Sequence, residues 1–197
     1  MIINSIQIET QTGLKEFELV QGDITNLPFK VDLLCISAFM NDYKATPTSI
    51  IGQLYNKGVD VKKLSQQPKL DFKESLGIWV SEKLDNSIAG NIICVEIKQS
   101  DNDFETTLKN LFIAVNTLEI QGEKNRSIAI PLIGSGDQQF DPKIVIPVLL
   151  ETSLAFLQNS SSLVKVYFVI YSKQKAAEFN AAINSTLGRN AVNTSNR

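Results

Sequence analysis

Nearly continuous apolar runs, separated by longer segments of helical periodicity, constrain the fold of this chain more than any other feature. The plainest run is Val164–Tyr171, and strands of this composition are typical of a sheet that is covered on both faces. The pattern predicts strands near residues 5–9, 16–21, 31–37, 76–81, 91–98, 127–131 and 164–171. It predicts helices over about 46–58, 103–121, 141–158 and 173–186. This alternation favours a layered α/β fold.

The ends of these helices carry recognisable signals. Thr46 is predicted to cap the first helix, with Pro47 at the first helical position and Gly58 near the end. The polar segment 58–75 between the first helix and the next strand is predicted to be an irregular connection that covers or lines a site.

Length and charge limit the classes of function. The chain has 197 residues, 43% of them hydrophobic, which fits a single domain, predicted over 1–187, with a flexible tail at 188–197. Nineteen Lys and Arg residues against twenty-one Asp and Glu residues give a net charge of −2. Broad nucleic-acid binding relies on clustered cations, so no nucleic-acid partner is expected. An anionic ligand would have to be held by backbone dipoles.

The residue types that are rare in the chain are also informative. It has no histidine, which removes histidine-based catalytic and metal sites, and we predict no catalytic residue, metal or cofactor. Cys35 and Cys94 each lie inside an apolar run and are predicted to be inert buried thiols. No apolar run approaches the ~20 residues of a membrane helix, and the start of the chain carries no charged leader, so we expect a cytoplasmic protein without a membrane partner.

Two glycine-containing breaks directly follow predicted strands. They are Gly22-Asp23-Ile24-Thr25 and Pro131-Leu132-Ile133-Gly134-Ser135-Gly136. Glycine lets a ligand approach the backbone closely, and consecutive backbone N–H groups in the second break suit a phosphate or diphosphate. The alternatives are that Asp23 merely caps its own turn and that 134–136 is a tight connection to the next helix.

These breaks, in this order and on these strands, resemble those of macro domains. The first half of the resemblance is carried by Gly22-Asp23-Ile24-Thr25 and the strand Val31–Ile36, and the second by Ile130–Gly136 and Val166–Tyr171. The resemblance spans about residues 16 to 183. It implies a three-layer α/β/α sandwich with a mixed, mostly parallel central sheet that binds ADP-ribose or a related nucleotide.

The resemblance also implies roles for individual residues. Asp23 would accept a hydrogen bond from the adenine amino group, assisted by the Ile24 backbone, and Tyr171 or Ser172 would lie near the adenine. The loop that begins at Gly134 would bind the diphosphate and the adjoining ribose through the backbone of Ser135, Gly136 and Asp137 and the ring of Phe140. The alternative for Phe140 is an ordinary core residue beneath the loop, and Trp79 is predicted to lie in the core.

The segment after the third predicted strand departs from the family. Macro domains usually carry Asn-Ala-Ala-Asn and a glycine-rich loop there, whereas this chain reads Ile36-Ser37-Ala38-Phe39-Met40-Asn41-Asp42-Tyr43 and then begins a helix. The resemblance therefore implies a reshaped pocket for the distal ribose. The candidate contacts are Ser37, Phe39, Asn41, Thr46, Thr48 and Ser49. Plain helix capping is the alternative for the last three.

The leading hypothesis is a non-catalytic binding domain for ADP-ribose or a modified or cyclic ADP-ribose-type nucleotide. The resemblance extends to sensors of bacterial signalling and immunity that are driven by NAD-consuming TIR enzymes, in which the partner would be a homo-oligomer or an effector chain. A hydrolase that removes ADP-ribose from proteins, or cleaves an ADP-ribose derivative, is the second hypothesis. A scaffold that has lost its ligand is the third.

Overall fold

A computed structural model describes residues 1–85, 88–97, 104–133 and 142–194. The strands are β1 Ile2–Thr10, β2 Gly13–Gln21, β3 Val31–Phe39, β4 Leu70–Phe72, β5 Ile78–Val80, β6 Ala89–Ile97, β7 Ser127–Pro131 and β8 Lys165–Ile170. The helices are α1 Ile50–Asn56, α2 Val61–Leu64, α3 Lys73–Leu76, α4 Phe104–Ile120, α5 Pro142–Asn159 and α6 Lys173–Thr194. A single turn of 3-10 helix covers Ile24–Asn26.

All these strands form one sheet in the order β1-β2-β8-β7-β3-β6-β5-β4. The central strands β2, β8, β7, β3 and β6 are parallel, whereas β1, β5 and β4 are added in antiparallel fashion at the two sides. The carboxyl ends of the five parallel strands therefore lie along one edge, which we call the carboxyl rim. Ligands of open α/β sheets bind at this edge.

Helices cover both faces of the sheet. Along β3, Leu33 and Cys35 pack into one core with α4, α5 and α6, while their neighbours Leu34 and Ile36 pack into a second core with α1 and α2. All four of these side chains are fully buried, as expected when successive residues of a strand point to opposite faces. The three-layer sandwich with a mostly parallel sheet is thus confirmed.

The first helix begins one turn later than predicted. Ser49, not Thr46, is the N-cap, and its hydroxyl accepts a 2.9 Å hydrogen bond from the Gly52 amide. The segment before it folds into a turn closed by the Ser49 amide and the Thr46 carbonyl, at 3.1 Å. This turn crosses the helix at Gly52, where a Cβ atom would lie 1.8 Å from the Thr46 oxygen, so only glycine permits it.

The segment 58–75 and the end of the last helix also differ from the prediction. The segment 58–75 is not an irregular connection, because it contains α2, β4 and α3, and β4 pairs with β5. Three residues are too few to show strand periodicity in a sequence. Helix α6 was predicted to end near 186 but continues to Thr194.

The amino ends of the central strands, opposite the rim, are held by a polar network. Buried Lys15 donates a 2.7 Å hydrogen bond to the Leu157 carbonyl and another to the Ser160 carbonyl, which satisfies the end of α5. Glu119, at the end of α4, accepts hydrogen bonds from the amides of Ser162 at 2.9 Å and Leu163 at 3.1 Å. Burial raises the pKa of Glu119, but these bonds and those from the Ser160 and Ser162 hydroxyls lower it to about 2.

Candidate functional site

Asp23 follows the end of β2 at the carboxyl rim. Its Oδ1 accepts hydrogen bonds from the amide and the hydroxyl of Thr25, both at 2.8 Å, and so caps the 3-10 turn. Within the part of the chain that the structure describes, nothing bonds to its second oxygen, Oδ2. The capping role and a ligand role are therefore compatible, because they use different oxygens of a half-buried carboxylate. Ile24 beside it is buried, which leaves its backbone as the group able to meet a ligand.

The turn that Asp23 caps is also held from the far end of α1. The Lys57 ammonium donates a 2.7 Å hydrogen bond to the Thr25 carbonyl and approaches Asn26 Oδ1 at 3.5 Å. The sequence analysis did not single out Lys57, since a lysine in a polar segment gives no signal of its own. The carboxylate of Asp23 is thus fixed by Thr25, and Thr25 is fixed by Lys57.

The end of β8 lies next to the end of β2. Gln21 and Ile170 are register partners, and the Gln21 side-chain amide donates a 3.1 Å hydrogen bond to the Tyr171 carbonyl. The Tyr171 side chain is 80% exposed, so its ring is available at the rim close to the Asp23 turn. Ser172 accepts a 3.3 Å hydrogen bond from the Lys175 amide and caps α6.

A tight turn follows β3 at the rim. It is closed by a 2.9 Å hydrogen bond from the Asp42 amide to the Phe39 carbonyl, and Asn41 takes the left-handed conformation with φ 58°. Asparagine tolerates this conformation better than most residues. Phe39 is 59% exposed and Ser37, within β3, is half-buried.

A buried hydrogen-bond network underlies this turn. Tyr43 donates to Glu96 Oε1 and accepts a 3.1 Å hydrogen bond from the Trp79 indole. Glu96 Oε2 accepts a 3.4 Å hydrogen bond from the Asn41 amide. Burial, and then the neighbouring Glu96 carboxylate, raise the pKa of Tyr43, so the phenol stays protonated. Trp79 is fully buried, as the sequence predicted.

The predicted ligand contacts before helix α1 differ in whether their side chains are free to meet a ligand. The Ser49 hydroxyl is fully occupied, because it accepts from the amides of Gly52 and Thr46 and donates to the Thr46 carbonyl at 3.0 Å. Capping is therefore the role that its geometry supports. Thr46 is half-buried and Thr48 is exposed.

The predicted phosphate loop leaves the sheet from β7, which lies between β8 and β3 in the strand order. Leu132 and Ile133, at the end of β7, are buried. The loop residues Gly134, Ser135, Gly136, Asp137 and Phe140 lie outside the described residues, so their roles stay predictions.

Comparison with known proteins adds the decisive observation on the fold. No family model matches the sequence, and no curated protein matches it significantly. Solved structures do match. An Oceanobacillus iheyensis macrodomain with ADP is 16% identical with a TM-score of 0.69, over 94% of this chain and 98% of that chain. A point mutant of it with ADPR gives the same identity and TM-score over 94% of this chain and 100% of that one. A Trypanosoma brucei macrodomain in complex with ADP-ribose is 12% identical with a TM-score of 0.64, over 85% of this chain and 68% of that chain.

The chain has the macrodomain fold.

Within this macrodomain fold the rim carries two groups of predicted residues. Asp23, Ile24 and Tyr171 come together at the neighbouring ends of β2 and β8, whereas Ser37, Phe39 and Asn41 lie at the end of β3, beyond β7. Both groups therefore lie on the same edge of the sheet, with β7 between them.

The sequence analysis missed the role of Glu96. One signal was present, because this charged residue interrupts the apolar run Ile92–Ile97 near the end of a central strand. Buried charges are rare in such strands unless they are paired or hydrogen-bonded.

Two kinds of feature are missing from the described ranges. Among helices there, none is both long and apolar enough to cross a membrane. Nor do those ranges contain a grouping of Cys, Asp and Glu that could hold a metal ion.

Proposed function

We propose that this chain binds ADP-ribose, or a modified or cyclic ADP-ribose-type nucleotide, along the carboxyl rim. The observation that carries the proposal is the geometry of Asp23 at the end of β2. One carboxylate oxygen is fixed by two hydrogen bonds from Thr25, while the other has no partner among the described residues. A fixed, half-buried acceptor of this kind suits an N–H donor such as the amino group of adenine.

The neighbouring strand end supports an aromatic base as the group recognised there. Tyr171 presents an 80% exposed ring, and its backbone is tied to β2 by Gln21. Aromatic rings stack on any nucleobase. The hydrogen bond to Asp23 selects adenine, whose 6-amino group donates where guanine carries the O6 acceptor. In this proposal the Ile24 backbone assists Asp23.

The diphosphate would be bound by backbone amides of the loop after β7, from Ser135 to Asp137, with Phe140 against the adjoining ribose. The net charge of −2 supports backbone binding over a cluster of cations. The group beyond the diphosphate would meet Ser37, Phe39 and Asn41 at the end of β3, and Thr46 and Thr48 after it. Likeness in fold to macrodomains solved with ADP and with ADP-ribose supports a ligand of this class.

The biological role we propose is that of a cytoplasmic sensor of an NAD-derived nucleotide in TIR-type bacterial signalling. In that role, binding rather than turnover produces the output, which passes to a partner effector chain or to another copy of this chain. The absence of histidine from the whole sequence favours binding over general acid–base catalysis.

Isothermal titration of the intact chain with ADP-ribose, ADP, AMP and GDP tests the proposal. We expect heat for the three adenine nucleotides and a much weaker response to GDP. Asp23→Asn presents an amide N–H where the carboxylate oxygen stood, so we expect roughly a ten- to hundredfold loss of affinity for adenine nucleotides. A folded sample that binds none of them would refute the proposal.

Asp71→Asn is the matched control. Asp71 also accepts a hydrogen bond from the amide two residues later, Lys73 at 3.1 Å, but it lies on β4 at the far side of the sheet. It should leave all affinities unchanged. Turnover is checked by incubating the chain with the ligand or with an ADP-ribosylated protein and separating the products by chromatography. Release of free ADP-ribose would favour the hydrolase instead.

A further inference from the structure

The turn after β3 exposes apolar side chains at the rim. Phe39 is 59% exposed and Met40 is 45% exposed, although both directly follow the buried residues of a central strand. Exposed apolar groups are common singly, but two adjacent ones beside a candidate ligand groove offer a surface for an apolar or sugar face.

This turn is anchored from below by buried polar groups. Glu96 is 7% exposed, and it accepts hydrogen bonds from the Tyr43 hydroxyl and the Asn41 amide. Tyr43 in turn accepts from the Trp79 indole at 3.1 Å, and the two rings meet edge to face with centroids 5.8 Å apart. The network therefore joins Asn41, within the turn, and Tyr43, directly after it, to β5 and β6.

The anchoring carboxylate is costly for stability. Among the described residues, no lysine or arginine forms an ion pair with Glu96, so only hydrogen bonds offset the burial of its charge. An apolar side chain would avoid that cost but would leave the buried Tyr43 hydroxyl without this acceptor. An apolar residue could also not accept a hydrogen bond from the Asn41 amide. It would therefore not help to hold Asn41 in its left-handed conformation.

We propose that Glu96 is a positioning residue that holds the Phe39–Asp42 turn as a wall for the sugar beyond the diphosphate. This inference rests on the proposed function and deepens it by naming the residue that shapes the distal subsite. The ring of Phe39 would pack against the C–H face of the distal ribose, and the exposed Asn41 side chain would hydrogen-bond its hydroxyls. The site would then discriminate ADP-ribose from ADP, which lacks that sugar.

The affinity ratio between ADP-ribose and ADP is the measurement that tests this inference, because a general loss of stability does not move it. Glu96→Gln keeps one carbonyl acceptor and can satisfy either Tyr43 or the Asn41 amide, but not both. We expect it to weaken ADP-ribose binding about tenfold while ADP binding stays within about twofold. Tyr43→Phe and Phe39→Ser should shift the ratio in the same direction.

Glu119→Gln is the matched control, because Glu119 is a hydrogen-bonded carboxylate at the opposite end of the strands. It should lower the melting temperature and leave the ratio unchanged. If Glu96→Gln does not fold, the Phe39→Ser variant still tests the inference, because Phe39 is exposed and its replacement should not unfold the chain. Equal losses for both ligands, or an unchanged ratio in the Phe39 variant, would overturn the inference and leave the proposed function standing. A wild-type chain that binds neither ligand would overturn both.

Discussion

The Lys57 ammonium donates a 2.7 Å hydrogen bond to the Thr25 carbonyl and so joins the end of α1 to the turn that Asp23 caps. The two residues are 32 positions apart in sequence. Because Thr25 supplies both donors that fix Asp23 Oδ1, Lys57 acts on the candidate base-binding carboxylate through one intermediate residue.

Replacing Lys57 by methionine should weaken adenine recognition without unfolding the chain. Methionine keeps an apolar stem but loses the bond to Thr25, which costs about 1 kcal/mol and allows Asp23 to move. We expect AMP affinity, measured by calorimetry, to fall about fivefold. Lys109→Met removes an exposed ion pair with Glu105 on the other face of the sheet. It should change neither the AMP affinity nor the stability of the chain appreciably. An unaltered AMP affinity in Lys57→Met would contradict a role of this lysine in positioning Asp23.

Valine at Gly22 should block the ligand and spare the fold. A Cβ atom at Gly22 would meet no described residue within 4 Å, and the backbone there does not adopt the left-handed conformation. The added side chain would extend into open space beside Asp23, so we expect at least a tenfold loss of ADP-ribose affinity with a nearly unchanged melting temperature. Gly90→Ala is the converse control, since its Cβ would lie 2.7 Å from the Asp32 carbonyl oxygen. It should destabilise the fold and leave binding by the folded fraction intact.

Stability should fall in acid through Glu119. Its pKa in the folded chain is about 2, below the ordinary value of 4.5, so the carboxylate favours folding above the ordinary pKa, and that contribution is lost as the pH falls towards the folded value. Allowing for solvent screening, Glu119→Gln should cost about 1–2 kcal/mol at neutral pH. Denaturant titrations of both proteins should converge as the pH drops below the ordinary value. A gap that persisted unchanged in strong acid would contradict this role.

Much of the fold was predictable because the central strands are almost wholly apolar. Cys35 and Cys94 were predicted as buried thiols, and they are. The start of α1 was less predictable, because Thr46, Thr48 and Ser49 are all good caps, and the choice depends on how the turn crosses Gly52. Tertiary packing, not local preference, selects among them.

The candidate site was predictable only where it is local in sequence. The Asp23 turn lies within four consecutive residues, and its capping pattern could be anticipated. Glu96 and Tyr43 are 53 positions apart, and Trp79 and Tyr43 are 36 apart. Only the pairing of β3 with β6, and of β6 with β5, brings them together, and a single sequence does not reveal that register.

The separation of the Lys15–Glu119 network from the carboxyl rim has an evolutionary consequence. Lys15 and Glu119 secure the amino ends of β2 and β8, so substitutions that change what the carboxyl rim accepts need not lower the resistance of the fold to denaturation. Such a division allows a lineage to exchange one small molecule for another while keeping the same scaffold.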